Sequence, residues 1–161
     1  QRPMVASHTT AAALHHHIRA KPDEVMRAIC DTGGLVGICC ISGFLGGAGH
    51  IGTLLDHIDY VVKKFGIDHV AIGTDCAYES QYAREERAKI PARPARSGPP
   101  RWEALWPPGS LDGRSDPSLA WTNWPLFTVG LVQRGYSDDA IQQILGGNIL
   151  RVARAVWDSR Q

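Results

Sequence analysis

Three short apolar runs constrain what this 161-residue chain can become: Pro3-Met4-Val5-Ala6-Ser7-His8, Leu35-Val36-Gly37-Ile38-Cys39-Cys40 and Val70-Ala71-Ile72-Gly73-Thr74-Asp75. The later two are continuous in apolar residues rather than alternating, as in strands buried on both faces of a parallel sheet. Helical patterns fill the intervals, and strand, helix and strand in succession give right-handed βαβ units. The first run closes on His8 and the third on Asp75. In a parallel α/β barrel the strand C-termini and the βα loops beyond them build the active site, so all three runs converge on one functional rim.

The rest of the chain divides around these runs. Thr9 to His17 reads as a loop or short helix. Pro22-Asp23-Glu24 opens a helix, with proline suited to its first turn and the carboxylates to its positive end; Val25, Met26, Ile29 and Cys30 follow at helical spacing, and Gly33-Gly34 ends it. Residues 41 to 52 carry Gly43, Gly46, Gly47, Gly49 and Gly52, which predicts a tightly turned or mobile loop over the His8 rim. It lacks the GxxxxGK[ST] ending of a phosphate loop. Thr53 through Phe65 is an amphipathic helix, with Leu54, Leu55, Ile58, Val61, Val62 and Phe65 on its apolar stripe. From about 77 to 123 the pattern breaks into prolines, arginines and tryptophans, an irregular insertion lying on the surface. Its acidic residues offset the arginines, against a nucleic-acid surface; a binding module is the alternative reading. Trp124 to Arg134, a start at Ser137-Asp138-Asp139 and Asn148 to Trp157 predict C-terminal helices on the outside of a barrel.

Composition narrows the function classes. A 43% hydrophobic and 20% charged chain is ordinary for a globular protein, and a net charge of +1 makes no electrostatic case for nucleic acid or an anionic membrane. No run approaches the ~18 apolar residues of a membrane span. The four cysteines, Cys30, Cys39, Cys40 and Cys76, fit no CxxC zinc spacing. Adjacent Cys39 and Cys40 point to opposite faces of a strand, so buried reduced thiols and a reducing, cytoplasmic compartment are expected.

Several motifs taken in order carry a family likeness. Ser7-His8-Thr9-Thr10 with Arg19, Asp31-Thr32-Gly33-Gly34-Leu35-Val36-Gly37-Ile38, Leu55-Asp56-His57-Ile58-Asp59-Tyr60, Gly66 through Asp75, Arg134-Gly135-Tyr136-Ser137-Asp138-Asp139 and Ile144 through Val152 resemble the membrane (renal-type) dipeptidases of peptidase family M19. The likeness runs from His8 to about Trp157 and is weakest between Cys76 and Trp121. It implies a TIM-like (β/α)8 metal-dependent hydrolase, of which this chain looks like the last three βα units plus C-terminal helices. A full barrel takes about 250 residues, so a fragment is expected, with a missing N-terminal half or a homodimer completing it.

The resemblance also implies a binuclear site of two zinc ions and hydrolysis of dipeptides by a metal-bridged hydroxide. His8 matches a zinc-binding histidine of the family, a role suited to a ring nitrogen on a rigid strand end; by itself it reads more readily as a hydrogen-bonded structural residue than as a ligand. Arg19 matches an arginine implicated in holding the substrate's C-terminal carboxylate, which a planar guanidinium grips with two parallel hydrogen bonds. Asp75 matches the aspartate of proton transfer; the plainer reading is a carboxylate capping a backbone amide. Cys76, Ala77 and Tyr78 follow it where many relatives continue Phe-Asp-Gly. The family's other ligands, an early His-x-Asp, a bridging glutamate and a second histidine, find no match. His57-Ile58-Asp59 copies the letters of the first but lies inside a helix. The chain alone is therefore expected to be catalytically silent, and the competing expectation is an inactive barrel remnant or subunit acting as a scaffold or interaction protein. His15, His16 and His17 read as exposed polar residues; His50, His57 and His69 lie outside the ligand motifs, and His57 reads as structural or solvent-facing.

Overall fold

In the computed structural model, which describes residues 2–76, 81–91 and 116–159, the three apolar runs become strands of one parallel sheet. β1 (Val5–Thr9), β2 (Leu35–Ile38) and β3 (Val70–Ile72) lie side by side in that order. Val5 pairs with Leu35, Ala6 with Val36, and Val36 with Val70. Pairing gives the sheet two faces, since strand side chains alternate. Val36, Ile38, Val70 and Ile72 face the main core with Ala6 at its margin, while Leu35 and Ala71 form a separate small cluster.

Two helices cover the first face. α1 (Asp23–Asp31) starts after Pro22 with Asp23 and Glu24 in its first turn and buries Met26, Ile29 and Cys30. α3 (Ile51–Phe65) buries Leu54, Leu55, Ile58, Val61 and Phe65, each side chain worth about 1.5–3 kcal/mol. Its start is capped by the His50 ring, which accepts the Gly52 N–H at 2.9 Å. Gly66, at φ 103°, turns the chain from this helix toward β3.

The glycine-rich segment is more ordered than its composition suggests. Ser42–Leu45 forms a one-turn helix, α2, because Phe44 and Leu45 are buried in the core. The turns fall on Gly46, Gly47 and Gly49, all at positive φ. Within the stretch read as irregular, Gln81–Lys89 is a helix, α4, with an ion pair between Glu86 and Lys89 one turn apart. The remainder of that insertion, residues 77–80 and 92–115, lies outside the described residues.

α5 (Trp124–Gln133) packs on α3, and α6 (Asp138–Gln142) opens with the Ser137 hydroxyl accepting the Ala140 N–H at 3.3 Å. The last helix, α7 (Asn148–Asp158), departs from the expected outer position. Val152 packs with Leu35 and Ala71 on the sheet face opposite α1 and α3. Polar bonds to the strand-start loops hold it there: Arg151 donates to the Gly33 and Asp68 carbonyls at 2.8 and 2.7 Å. Buried Asn148 donates to the Ile67 and Val70 carbonyls, both at 2.8 Å.

Candidate active site at the strand ends

The site begins with an irregularity. β1 shifts register between Ala6 and Thr9, so the chain bulges at Ser7 and His8. Bulges re-aim side chains, and this one lays the Ser7 carbonyl across the sheet. A Cβ on Gly37 would stand 2.3 Å from the Ser7 oxygen, and one on Gly73 only 1.8 Å. Glycine at both positions therefore lets the edge strand lean over its neighbours. His8 thereby reaches Asp75, beyond the far end of β3, with Nε2 3.9 Å from Oδ1.

Asp75 contributes to this meeting through its backbone. It sits at φ 53°, the one positive-φ non-glycine position among the described residues. Aspartate tolerates this region better than most residues, and such strain clusters at functional sites. The Ser7 hydroxyl holds His8 Nδ1 at 2.8 Å and leaves Nε2 toward Asp75. At 3.9 Å the pair is too far apart for a hydrogen bond, so both groups keep capacity for a ligand. Their side chains are 36% and 34% exposed, open enough to be reached.

Arg19 comes to the same rim from a pinned loop. Lys21 N–H donates to the Thr10 carbonyl at 2.8 Å, and Ala12 N–H to the Lys21 carbonyl at 3.0 Å, closing the loop at its base. The Thr9 hydroxyl donates to the Arg19 carbonyl at 2.7 Å. The guanidinium carbon stands 5.9 Å from the centre of the Phe44 ring, within cation–π range. The Cys39 thiol, at the end of β2, feels the charges of both Asp75 and Arg19, although burial is what chiefly pushes it up to about 11. His8, Arg19 and Asp75 thus occupy neighbouring parts of one rim.

Two histidines have structural parts, against the exposed reading of His17 and in line with the structural alternative for His57. His17 is not an exposed polar residue: its ring stacks on Phe44 with centroids 4.3 Å apart, and Nδ1 accepts the Arg19 N–H at 3.1 Å. Burial, then the neighbouring His15, Arg19 and His16, lower its proton affinity. His57 is fully buried rather than solvent-facing. Its Nδ1 accepts the Ala11 N–H at 3.1 Å and its Nε2 donates to the Leu45 carbonyl at 3.0 Å. Asp59, which completes the His-x-Asp lettering, is bound by Arg134 and Tyr136 instead. Neither side chain of that lettering is directed to the rim's chemistry.

The rim offers one imidazole and one carboxylate to a metal ion. Zinc centres take at least three protein ligands, and among the described residues no group of three His, Cys, Asp or Glu stands together. These residues alone therefore do not fit a complete metal site. None of the four cysteines is in a disulfide, and burial raises Cys40 to about 12, so neither Cys39 nor Cys40 offers a ready thiolate.

The parallel sheet carries a histidine, an acid and an arginine at or beyond its strand C-termini, the rim on which parallel α/β barrels build their active sites. The sequence profile of the membrane dipeptidases, peptidase family M19, matches residues 1–84, and the chain belongs to that family. Dipeptidase ataJ of Aspergillus terreus is 27% identical over 160 residues, covering 97% of this chain and 31% of its own length. Among solved structures, an amidohydrolase from Pseudomonas aeruginosa superposes with a TM-score of 0.70 at 28% identity, covering 98% of this chain and 47% of its own. A metallopeptidase from Rhodobacter sphaeroides, liganded with a phosphinate mimic of the dipeptide L-Ala-D-Ala, shares the fold at a TM-score of 0.66 and 20% identity, covering 98% and 37%. The chain spans about a third of the length of the curated relatives it matches.

Proposed function

We propose that this chain supplies one sector of the active-site rim of a zinc-dependent dipeptidase, built as the C-terminal βα units of a (β/α)8 barrel. The observation that carries the reading is the approach of His8 to Asp75 across a three-stranded sheet, achieved through a bulge and two glycines. Both side chains remain about one-third exposed, so a ligand can reach the pair.

Each residue then has a task. His8 presents Nε2 as one metal donor, its ring held through Nδ1 by Ser7. The remaining donors belong to the rest of the intact protein, and the metal would activate water and polarise the scissile carbonyl. Asp75 lies beside that donor and can take a proton from the attacking water and return it to the leaving amine. Arg19 grips the dipeptide's free carboxylate. A requirement for that carboxylate next to the cleaved bond restricts such a site to very short peptides. The substrate is then a small dipeptide.

The test uses the natural protein containing this chain, with zinc, assayed on Ala-Ala and on the same dipeptide with an amidated C-terminus. Arg19→Met is expected to raise KM for Ala-Ala about 100-fold, the worth of a charged bidentate contact, while leaving the amidated peptide unaffected. Asp75→Asn is expected to lower kcat about 100-fold or more, with metal content retained. His8→Ala is expected to lower bound zinc. An Arg19→Met enzyme that penalises both peptides equally, or a His8→Ala protein with full zinc content, overturns the corresponding assignment.

A further inference from the structure

We propose that His57 is the positioning residue of the Arg19 clamp, joining the loop that carries Arg19 to the short helix whose aromatic ring lies beneath it. The inference rests on the reading of Arg19 as the substrate-carboxylate group and extends it to a side chain that makes no contact with substrate.

The two partners of His57 define its role. Ala11 N–H can only donate and the Leu45 carbonyl can only accept, so Nδ1 must be bare and Nε2 protonated. One neutral tautomer satisfies both bonds, and the residue is wholly buried. Ala11 lies at the base of the loop that returns to Lys21, two residues past Arg19; its backbone also pairs with Lys21 as an isolated bridge. Leu45 follows Phe44, whose ring stacks with His17 and lies under the Arg19 guanidinium. One imidazole therefore ties both walls of the clamp to α3.

Those walls need such a tie. α2 has only four residues, no side-chain cap at its start, and a glycine at its end. A helix this short does not hold itself. An apolar residue at position 57 could fill the volume but would strand a buried N–H and a buried carbonyl. The groups whose charges reach the ring are Asp56 and His15, neither of which replaces these bonds.

The test exploits side-chain geometry. In His57→Asn the amide oxygen sits two bonds from Cβ, like Nδ1, and can keep the Ala11 bond. In His57→Gln the amide nitrogen sits three bonds out, like Nε2, and can keep only the Leu45 bond. His57→Phe keeps neither. Nuclear magnetic resonance on the full chain would follow Ala11 amide exchange and the Arg19 Nε–H signal, with N-acetylglycine as the carboxylate probe. In His57→Gln and His57→Phe, Ala11 exchange is expected to accelerate about tenfold and the probe dissociation constant to rise about tenfold, as for one lost buried hydrogen bond. His57→Asn keeps the Ala11 bond, so its Ala11 exchange should stay within about twofold of the unsubstituted chain.

Equal Ala11 exchange in the Asn and Phe variants overturns the proposal. So does a protonated Nδ1 in the 15N spectrum of the unsubstituted chain, a measurement that needs no variant to fold. If N-acetylglycine leaves the Arg19 signal of the unsubstituted chain unmoved, the carboxylate reading fails. The positioning claim is then decided by Ala11 exchange and by whether Arg19 Nε–H order falls in His57→Phe and returns in His57→Asn.

Discussion

Gly73→Ala tests whether the leaning of β1 over the sheet creates the His8–Asp75 pair. The new methyl carbon would stand 1.8 Å from the Ser7 oxygen, 2.9 Å from the Ser7 carbonyl carbon and 3.3 Å from the His8 Cα. All three are backbone atoms, so no side chain can swing aside, and side-chain carbons essentially never approach closer than 3.0 Å. The Ser7–His8 segment must retreat by about 1.2 Å or more from its present 1.8 Å contact. That displacement loosens the end of β1, where the Thr9 carbonyl accepts the Cys39 N–H at 2.9 Å. Overpacking costs about 1–3 kcal/mol, and a weakened ladder bond adds about 1, for a loss of about 2–4 kcal/mol. Urea unfolding would read the stability, and hydrogen exchange at Cys39 the detachment of β1. A loss below about 1 kcal/mol with Cys39 exchange unchanged would refute the reasoning, because the strand would then tolerate a side chain where the structure leaves no space.

Three further outcomes are expected. Asn148→Leu removes the side-chain donor to the buried Val70 carbonyl and the half-buried Ile67 carbonyl and should cost about 1–3 kcal/mol in urea unfolding, whereas the exposed Arg154→Leu should change stability by under about 0.5 kcal/mol. Burial holds the His57 imidazole below its ordinary proton affinity, so between the unfolded value near 6.5 and the lower folded value the unfolded chain binds more protons. Stability is therefore expected to be full above about pH 6.5 and to fall as pH drops through the folded value; His57→Asn should show a shallower fall in urea midpoints between about pH 7.5 and about pH 5. Cys39 and Cys40, pushed up to about 11 and about 12, should resist iodoacetamide in the native chain and label fully in denaturant, as read by peptide mass spectrometry.

Much of the sheet was legible because strands buried on both faces carry continuous apolar runs. Their ends were not. The regular strands end at Ile38 and Ile72, while single backbone bonds carry on along the apolar runs, from the Gly73 N–H to the Ile38 carbonyl and from the Cys40 N–H to the Thr74 carbonyl. The α3 stripe predicted its helix within two residues of its start. The one-turn helix at Ser42–Leu45 was hidden by its glycines, since tertiary contacts order it, namely burial of Phe44 and Leu45 and the His57 bond to the Leu45 carbonyl. An amphipathic stripe in α7 reveals that one side is buried, not which face of the sheet receives it; Arg151 and Asn148 decide that. The strand-end positions of His8 and Asp75 were readable, whereas their closeness depends on a bulge. Gly37 inside β2 and Gly73 just past β3 were the available signal of close backbone approach. His57 gave no such signal, because its partners lie 46 and 12 residues away and follow no period.

Several groups that shape the rim lie within this chain. Gly37 and Gly73 admit the bulge, Ser7 orients His8, and His57 holds the loop bearing Arg19 against α2. None of these contacts requires a bound ion. On the proposed reading, the rest of the intact protein therefore meets a preorganised histidine, arginine and aspartate, and the metal does not have to assemble them. Preorganisation of this kind places the ordering cost in folding rather than in substrate binding. The opposite face of the sheet has a different character: Val5, Leu35, Ala71, Ile149 and Val152 line an open apolar hollow beneath the rim. A (β/α)8 barrel fills this space with side chains from its other strands. If so, substitutions in the hollow should weaken assembly of the whole barrel, while substitutions at His57 or Gly73 should disturb the site within this sector alone.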